Sequence, residues 1–262
     1  MIGVFDSGIG GLTVVRALLD HLPGRDLIYL GDTARTPYGS KSRHTIEKYC
    51  LNNSQFLIRR GARIIVIACN TASSYAYEAV RRHFDVPVFE VIGPGSALAV
   101  QRSRTLRIGV IGTRATIASR IYEKRITAIA PEAKVYAVPC PLLVPLVEEG
   151  WLNKPETAMI VRKYLAGLKA RKIDTLILGC THYPVLRELI HRKIGSRVNL
   201  VDSAEAVGVQ VKHLLESQND ASHLPFSSAA RCQIYVTDTA EQFRKTAQLI
   251  LKKKVPIEHA DI

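Results

Sequence analysis

The stretch RIIVIACNT at residues 63–71 contains the pattern that decides the fold. Its apolar residues follow one another without alternation and end at a cysteine, an asparagine and a threonine. A continuous apolar run rich in β-branched residues is typical of a strand that is buried on both faces, as in a parallel sheet. The amphipathic residues 71–83 follow at once, so the stretch predicts a strand that leads directly into a helix.

The same alternation of short apolar runs and longer amphipathic segments continues in both directions along the chain. Strands are predicted at residues 2–5, 27–30, 63–68, 86–91, 107–111, 134–138, 173–178, 198–201 and 232–236. Helices are predicted at residues 12–21, 42–60, 71–83, 154–170, 184–194 and 204–216. Because strands and helices alternate, the chain is expected to form doubly wound α/β layers with mainly parallel sheets.

An internal repeat divides these layers into two units. Residues 2–7 (IGVFDS) correspond to residues 108–113 (IGVIGT), and residues 64–71 correspond to residues 175–182. Two ordered matches predict two similar domains that are related by a pseudo-twofold repeat, with the active site in the cleft between them. The turn-rich segment Gly93-Pro94-Gly95 is the expected boundary, since Gly and Pro separate elements.

Length and composition exclude several classes of protein. A chain of 262 residues suits one large α/β unit or two smaller ones, and 47% hydrophobic with 23% charged residues excludes disorder, collagen and coiled coil. No apolar run approaches the ~18 residues of a membrane span, and the first residues do not resemble a signal peptide. Five widely spaced cysteines are expected to be free thiols. We therefore expect a cytoplasmic protein without a membrane partner.

The net charge of +13 favours anionic partners, which range from nucleic acid to small acids. The excess is spread along the chain, for example at Arg59-Arg60 and Arg81-Arg82, as on a solvated surface. Aromatic residues make up 6% of the chain, and no basic segment is interleaved with them as a stacking platform would need. Direct binding of nucleic acid is therefore not expected.

The glycine-rich stretch DSGIGG at residues 6–11 follows the first predicted strand and opens a helix. Ligands bind beyond the carboxyl ends of strands in such sheets, and glycines let backbone N–H groups approach an anion there. The dinucleotide pattern G-x-G-x-x-G fails because Thr13 stands at its last position, and no P-loop lysine follows. Binding of a small anion and an ordinary tight turn both remain open.

Two cysteines stand at the ends of repeat-related strands. Cys69 and Cys180 each follow a buried strand and precede a predicted helix, whose N-terminus is expected to lower a thiol pKa. Asn70, Thr71 and Thr181 supply side chains of the type that cap helices. One such cysteine would more often be an inert buried thiol, but two in related positions favour a function. The remaining cysteines are expected to fill the core, namely Cys50, Cys140 and Cys232.

Three uses of such thiols compete. A phosphatase loop needs Cys-x5-Arg, and neither Cys69 nor Cys180 has an arginine at that spacing. A zinc site needs about four clustered ligands, and Cys180 with His182 is the nearest approach, so no metal is expected. The third use is a pair of facing acid–base groups, in which one thiolate removes a proton from a carbon and the other thiol returns one from the opposite face. The chemistry therefore indicates stereoinversion.

Four segments in this order resemble the hallmarks of the cofactor-independent glutamate racemases. They are Asp6 to Gly11, Pro37-Tyr38-Gly39, Ala68 to Ala72 and Gly179 to Pro184, and the resemblance covers essentially the whole chain. It implies a racemase that interconverts L- and D-glutamate for peptidoglycan and needs no cofactor. Aspartate racemases of the superfamily have an acidic residue where His182 stands, so glutamate is favoured. A racemase for aspartate or another amino acid is the alternative.

The resemblance also implies roles for individual residues. Cys69 would act on the α-proton of the D-enantiomer with help from Asp6, and Cys180 on that of the L-enantiomer with help from His182. Glu148 matches an acid that stands near His182. The implied substrate-binding residues are Asp6, Ser7, Pro37, Tyr38, Gly39, Asn70, Thr71, Thr113, Thr116, Thr181 and His182.

Three properties of the assembly follow from the same resemblance. The first domain would comprise residues 1–93 with 207–262 and the second residues 94–206, with a hinge at the two crossings. Family members are commonly homodimers, and some are implicated in binding DNA gyrase, which is an open second role here. Relatives with a longer N-terminal segment need a peptidoglycan precursor as activator. Because this chain begins at its first strand, we expect activity without one.

Overall fold

The computed structural model describes residues 1–217, 231–238, 241–252 and 255–262, and within them the strands form two sheets. The first sheet contains β1 (Ile2–Asp6), β2 (Leu27–Gly31), β3 (Ile64–Ile67), β4 (Val88–Glu90), β9 (Cys232–Val236) and β10 (Ile257–His259). The second sheet contains β5 (Arg107–Gly112), β6 (Lys134–Pro139), β7 (Thr175–Gly179) and β8 (Asn199–Asp202). Neighbouring strands pair in parallel throughout the described parts of both sheets.

The strand orders reproduce the repeat seen in the sequence. The first sheet has the order β10-β9-β2-β1-β3-β4 and the second the order β6-β5-β7-β8. In the first sheet β1 lies between β2 and β3, and in the second β5 lies between β6 and β7. The matched segments therefore occupy equivalent places, and the prediction of two similar α/β domains with parallel sheets is confirmed.

Helices connect the strands within each domain. They are α1 (Leu12–His21), α2 (Arg43–Arg59), α3 (Asn70–His83), α4 (Ile92–Arg102), α5 (Arg114–Ala118), α6 (Ile121–Ile129), α7 (Leu143–Glu148), α8 (Pro155–Ala170), α9 (Arg187–Ile194), α10 (Ser203–Ser217) and α11 (Glu241–Leu251). The described part of the chain contains no helix that combines the length and apolarity needed to cross a membrane. The predicted strands and helices are present, except that a 3₁₀ turn replaces the start of the helix predicted at residues 184–194, whereas β10 and several helices, including α5 and α7, were not predicted. Helices of five or six residues, such as α5 and α7, are too short to show a helical period.

The core lies on both faces of each sheet because successive side chains of a strand point to opposite faces. In β1, Val4 packs in a cluster with residues of α1, α10 and α11, whereas Phe5 packs in a cluster with residues of α2 and α3. In the second domain, Ile111 of β5 faces residues of α7, α8 and α9, and Val110 faces residues of α6. Burial of each such side chain contributes about 1.5–3 kcal/mol to stability.

The segment Gly93-Pro94-Gly95 lies in the first turn of α4, so the prediction of a turn there is wrong. The Glu90 carboxylate accepts hydrogen bonds from the N–H groups of Ile92 at 2.5 Å and of Gly93 at 2.8 Å. Pro94 is tolerated because the N–H groups of a first turn have no partner within the helix. Gly and Pro therefore lie at the beginning of a helix here. This helix connects β4 of the first sheet to β5 of the second.

Candidate active site

A small cavity lies between the two domains, beyond the carboxyl ends of their strands. Its volume is about 20 Å³, and both domains contribute to its wall. It is lined by Ser7, Thr36, Pro37, Tyr38, Gly39, Cys69, Asn70, Thr71, Thr113, Val144, Cys180, Thr181 and His182. The two strand-end cysteines therefore face one enclosed space.

Most of the residues predicted for the site line this cavity. The exceptions are Asp6, Thr116 and Glu148, and each of them lies within hydrogen-bonding distance of a lining residue. Sequence reasoning missed Thr36, although it directly precedes the recognised segment Pro37-Tyr38-Gly39. It also missed Val144, an apolar residue in a short helix that carried no signal of its own.

Cys69 caps the N-terminus of α3, and its thiol donates to the Ser7 hydroxyl at 3.6 Å. Burial, together with the negative charge of Asp6, raises the pKa of Cys69 to about 12. The opposing contacts with the Ala72 N–H and with Ser7 are weaker. The expected lowering of this pKa by the helix N-terminus is therefore wrong, because desolvation of a buried thiolate outweighs it. At neutral pH the side chain is a thiol, which is a proton donor.

Cys180 lies in a different electrostatic setting. Its Sγ is 3.8 Å from Nδ1 of His182, and Nε2 of that histidine is 3.1 Å from Oε1 of Glu148. Burial opposes the charged imidazolium, but the contacts with Cys180 and Glu148 prevail and raise the pKa of His182 to about 10. A cation therefore stands beside the Cys180 sulfur. In the described residues no group of three or more His, Cys, Asp or Glu side chains is arranged to hold a metal ion.

The segment after Cys180 differs from the prediction of a helix from residue 184. Residues Tyr183–Leu186 form a 3₁₀ turn, and α9 begins only at Arg187. A separate tight turn at residues 181–182, closed by a bond from the Tyr183 N–H to the Cys180 carbonyl at 3.0 Å, precedes the 3₁₀ turn. Cys180 consequently lacks the α-helix N-terminus that the sequence suggested, and His182 supplies the positive charge instead.

Asp6 organises the glycine-rich stretch at the first strand end. Its Oδ2 accepts from the N–H groups of Gly8 and Gly11, both at 3.1 Å, and its Oδ1 accepts from the Thr181 hydroxyl at 3.3 Å. The stretch is therefore a tight turn whose amide groups bind an internal carboxylate. Burial raises the pKa of Asp6 against the effects of His182 and these hydrogen bonds. In the part of the chain described, the Cys69 thiol donates to Ser7 and not to Asp6.

Gly10 brings this turn into direct contact with the second cysteine motif. A Cβ atom at position 10 would lie 2.4 Å from Oγ1 of Thr181 and 2.6 Å from Nδ1 of His182. It would also lie 2.9 Å from the backbone nitrogen of His182, which cannot move as a side chain can. The close approach of the two domains therefore requires glycine at this position.

A cluster of threonine hydroxyls also joins the domains beside the cavity. The hydroxyl of Thr71 lies 3.0 Å from that of Thr113 and 3.2 Å from that of Thr116. Asn70 and Thr71 belong to the first turn of α3, so the prediction that they cap a helix is wrong, as it is for Thr181. Cys69 occupies the capping position, and these side chains are left to face the other domain.

The Tyr38 side chain rests on a buried polar network in the first domain. Its hydroxyl donates to the Asp32 carboxylate and accepts from Nδ2 of Asn53 at 3.0 Å. Arg35 donates from Nε to both Asp32 oxygens at 2.8 Å. Sequence reasoning identified Tyr38 but not its partners. They belong to none of the motifs found in the sequence, and they do not line the cavity.

Comparison with known proteins gives one consistent answer. A family model described as Asp/Glu/Hydantoin racemase matches residues 3–211. The glutamate racemase of Syntrophus aciditrophicus is 45% identical over 255 residues, which are 97% of this chain and 94% of that protein.

Solved structures of glutamate racemases also match this chain. Glutamate racemase RacE1 of Bacillus anthracis matches with a TM-score of 0.95 at 32% identity and covers 100% of this chain and 97% of its own. The enzyme of Francisella tularensis, crystallised with D-glutamate, matches with a TM-score of 0.90 at 38% identity and covers 98% and 95%. The resemblance seen in the sequence is thereby confirmed. The chain belongs to the Asp/Glu/Hydantoin racemase family.

Proposed function

We propose that the protein is a glutamate racemase that moves the α-proton of glutamate between two thiols. The observation that carries the proposal is that Cys69 and Cys180, from different domains, line one cavity. One thiolate removes the α-proton from one face of the carbon, and the opposite thiol delivers its own proton to the other face. The product is the mirror-image substrate, and the two sulfurs have exchanged protonation states. No external oxidant, reductant or group donor is consumed.

The charges around the two sulfurs support a resting enzyme that is ready to react with the L-enantiomer. Cys69 stays protonated because its pKa is raised to about 12. The imidazolium of His182, 3.8 Å from the Cys180 sulfur, stabilises negative charge there. L-glutamate then loses its α-proton to Cys180 and receives one from Cys69. D-glutamate reacts with the opposite state.

The polar lining suits a substrate with two carboxylates and one ammonium group. Hydroxyl and amide groups of Ser7, Asn70, Thr71 and Thr113 reach the cavity from strand ends. Such groups stabilise the charge that develops on the α-carboxylate as the proton leaves, because they are already oriented before the reaction. We propose that these residues, with the backbone around Gly39 and with Thr181, bind the substrate.

Glutamate is the favoured substrate for two reasons. His182 stands between Cys180 and Glu148, where the resemblance places an acidic residue in aspartate racemases. The relatives at 41–45% identity are glutamate racemases, and a solved relative was crystallised with D-glutamate. Aspartate remains the competing substrate for the assay below.

The domains must separate for substrate to enter. A cavity of about 20 Å³ has room for about one water molecule, which is far smaller than glutamate. We propose that residues 1–93 with 207–262 move against residues 94–206 as two lobes. The hinge would lie at α4 and at the junction of β8 with α10. Closure would exclude water and strengthen the electrostatic interactions around the reacting carbon.

Circular dichroism of L-glutamate incubated with the protein in reducing buffer tests the proposal. No cofactor or nucleotide-sugar activator is added, and L-aspartate is followed in a parallel cell. We expect the glutamate signal to decay to zero while the aspartate signal stays constant. Decay of aspartate alone would assign a different substrate, and a large rate increase on adding the peptidoglycan precursor would refute independence from an activator.

We further propose that the enzyme works in the cytoplasm as a homodimer and supplies D-glutamate for peptidoglycan. Light scattering coupled to gel filtration measures the mass in solution against the 29.0 kDa of one chain. Depletion of the protein in its host should make growth depend on added D-glutamate. Binding to DNA gyrase stays a prediction, which a pull-down with purified gyrase would test.

A further inference from the structure

Tyr122 joins the two domains through its hydroxyl group, which contacts the cavity-lining residue Asn70. It belongs to α6 of the second domain and donates to Oδ1 of Asn70 in the first domain at 2.6 Å. The same hydroxyl lies 3.1 Å from Oγ of Ser203 at the start of α10. All three residues are 3% exposed, so water cannot readily replace these contacts. Tyr122 does not itself line the cavity among the described residues.

The contact with Tyr122 determines how the Asn70 amide is oriented. An asparagine side chain has one oxygen that accepts and one NH₂ group that donates. Burial raises the pKa of Tyr122, so its hydroxyl keeps its proton and can donate at any working pH. Because Asn70 directs its oxygen to Tyr122, the NH₂ group is the end that can donate to an anionic ligand. Asn70 directly follows Cys69 and lines the cavity.

The other partner of Tyr122 belongs to the crossings between domains. Ser203 begins α10, and α4 packs against it at Gly95, where a Cβ atom would lie 2.8 Å from the Ser203 hydroxyl. Helices α4 and α10 begin at the two points where the chain passes between the sheets. The chain of hydrogen bonds from Asn70 through Tyr122 to Ser203 therefore runs from the cavity to both crossings.

We infer that Tyr122 is a positioning residue that holds the NH₂ group of Asn70 toward a carboxylate of the substrate. The inference rests on the proposed function, because it takes Asn70 as a substrate-binding residue. Tyr122 acts through Asn70 and touches neither the substrate nor the reacting atoms. Its bond to Ser203 keeps the hydroxyl in place when the domains are closed.

The test is the substitution Tyr122→Phe, which removes the hydroxyl and keeps the ring that packs in the core of the second domain. We expect KM for both enantiomers to rise about tenfold, the effect of losing one hydrogen bond to a charged group, with a smaller change in kcat. The ratio kcat/KM must fall equally in both directions because the two enantiomers have equal free energy. Tyr164→Phe is the matched control, since its hydroxyl contacts the Leu142 N–H at 3.4 Å in the same domain.

A double-mutant cycle distinguishes positioning from general stabilisation. If Tyr122 acts through Asn70, the double variant Tyr122→Phe with Asn70→Ala should have the KM of Asn70→Ala alone. Independent, multiplying effects would overturn the inference, as would a Tyr122→Phe variant with a lower Tm and an unchanged KM. If Tyr122→Phe fails to fold, Ser203→Ala tests the inference instead, because it removes the second partner of the Tyr122 hydroxyl. We then expect KM to rise about threefold. An unchanged KM in that variant would overturn the inference.

Failure of the inference and failure of the proposed function are distinguishable in the same assay. A wild-type protein that leaves L-glutamate optically unchanged overturns the function, and the inference falls with it. A wild-type protein that racemises glutamate while Tyr122→Phe keeps its KM overturns the inference alone.

Discussion

At the scale of single residues, the two thiols differ in the charge of their neighbours. Cys69 is buried near the carboxylate of Asp6, and both features favour its protonated form. Cys180 lies beside His182, whose positive charge is maintained by its contacts with Cys180 and Glu148. The sulfur of Cys69 therefore has a carboxylate near it, whereas the sulfur of Cys180 has a positive charge beside it. The proposed mechanism needs this asymmetry, because in it one thiol acts as an acid while the other acts as a base.

Replacement of either thiol tests the division of labour between them. Cys69→Ser and Cys180→Ser should each slow racemisation by about 10²–10⁴-fold, the usual contribution of a general acid or base. In D₂O, Cys69→Ser should still exchange the α-proton of L-glutamate, and Cys180→Ser that of D-glutamate. Cys232→Ser in β9 serves as the control and should keep its turnover. Near-normal racemisation by either active-site variant would contradict the two-thiol mechanism.

The pH dependence of the reaction should report on His182. Because the pKa of His182 is about 10, kcat/KM should decline as the pH rises through that value and the imidazolium loses its proton. Glu148 raises this pKa, so Glu148→Gln should move the alkaline limb to lower pH. Circular dichroism rates measured across the alkaline range give the limb. The exposed neighbour Glu149, changed to Gln, should leave it in place, and an unmoved limb in Glu148→Gln would contradict the assignment.

At the scale of elements, the turns at the strand ends decide which groups meet. The turn after β1 binds its own Asp6 carboxylate and presses Gly10 against Thr181 and His182. The loop after β2 carries Tyr38, whose hydroxyl donates a hydrogen bond to the buried Asp32 carboxylate. These short connections supply the residues of the site, because the buried strands before them fix their positions.

Gly10→Ala tests the close approach of the first turn. The added methyl group would lie 2.4 Å from Oγ1 of Thr181 and 2.9 Å from the His182 backbone nitrogen, so the turn must move away. We expect kcat/KM to fall about 10²-fold, as for a misplacement of about 1 Å in an active site. Gly167→Ala is the matched control, because nothing lies within 4 Å of its added methyl group. That variant should gain about 0.5–1 kcal/mol of stability from helix propensity and keep its activity.

Asp32→Ala tests the network beneath Tyr38. Asp32 is fully buried and accepts hydrogen bonds from Arg35, Tyr38 and Thr237. Removal of its carboxylate leaves these donors without their partner, so the free energy of unfolding should fall by about 3–5 kcal/mol in chemical denaturation. Asp20→Ala, which breaks a solvated pair with Arg16, should cost less than about 1 kcal/mol. Equal effects of the two substitutions would refute the role of the network.

At the scale of the whole molecule, hydrogen bonds across the cleft hold the domains together. The hydroxyl of Thr71 meets that of Thr113, and the Thr181 hydroxyl donates to Asp6. The Tyr75 hydroxyl donates to the Ala115 carbonyl at 3.0 Å. All three contacts are polar, which suits an interface that opens and closes.

Opening of the cleft should be visible in solution scattering. Without ligand we expect a radius of gyration larger than that calculated from the closed arrangement, and addition of D-glutamate should reduce it toward that value. L-aspartate at the same concentration is the control for ionic effects. A radius that D-glutamate leaves unchanged would contradict movement of the two lobes.

Much of the architecture was predictable because local patterns encode it. Continuous runs of β-branched residues such as residues 64–67 form buried strands, and the repeat of residues 2–7 at residues 108–113 indicated the second domain. The errors occurred where burial or a neighbouring group decides the outcome. Gly93 to Gly95 begin a helix because Glu90 caps it, and helices of one or two turns escaped detection for lack of a period.

The sequence by itself determined the α/β class, the twofold repeat and most of the residues that surround the cavity, because strand ends and their motifs are local features. Only the tertiary structure decided which of these groups meet and in which charge state. Tyr122 reaches Asn70, and Thr237 reaches Asp32, across many residues of chain. The pKa of Cys69 likewise depends on tertiary packing. A helix N-terminus visible in the sequence contributes at most about 2 kcal/mol, whereas complete burial, which depends on packing, costs a charged thiolate more.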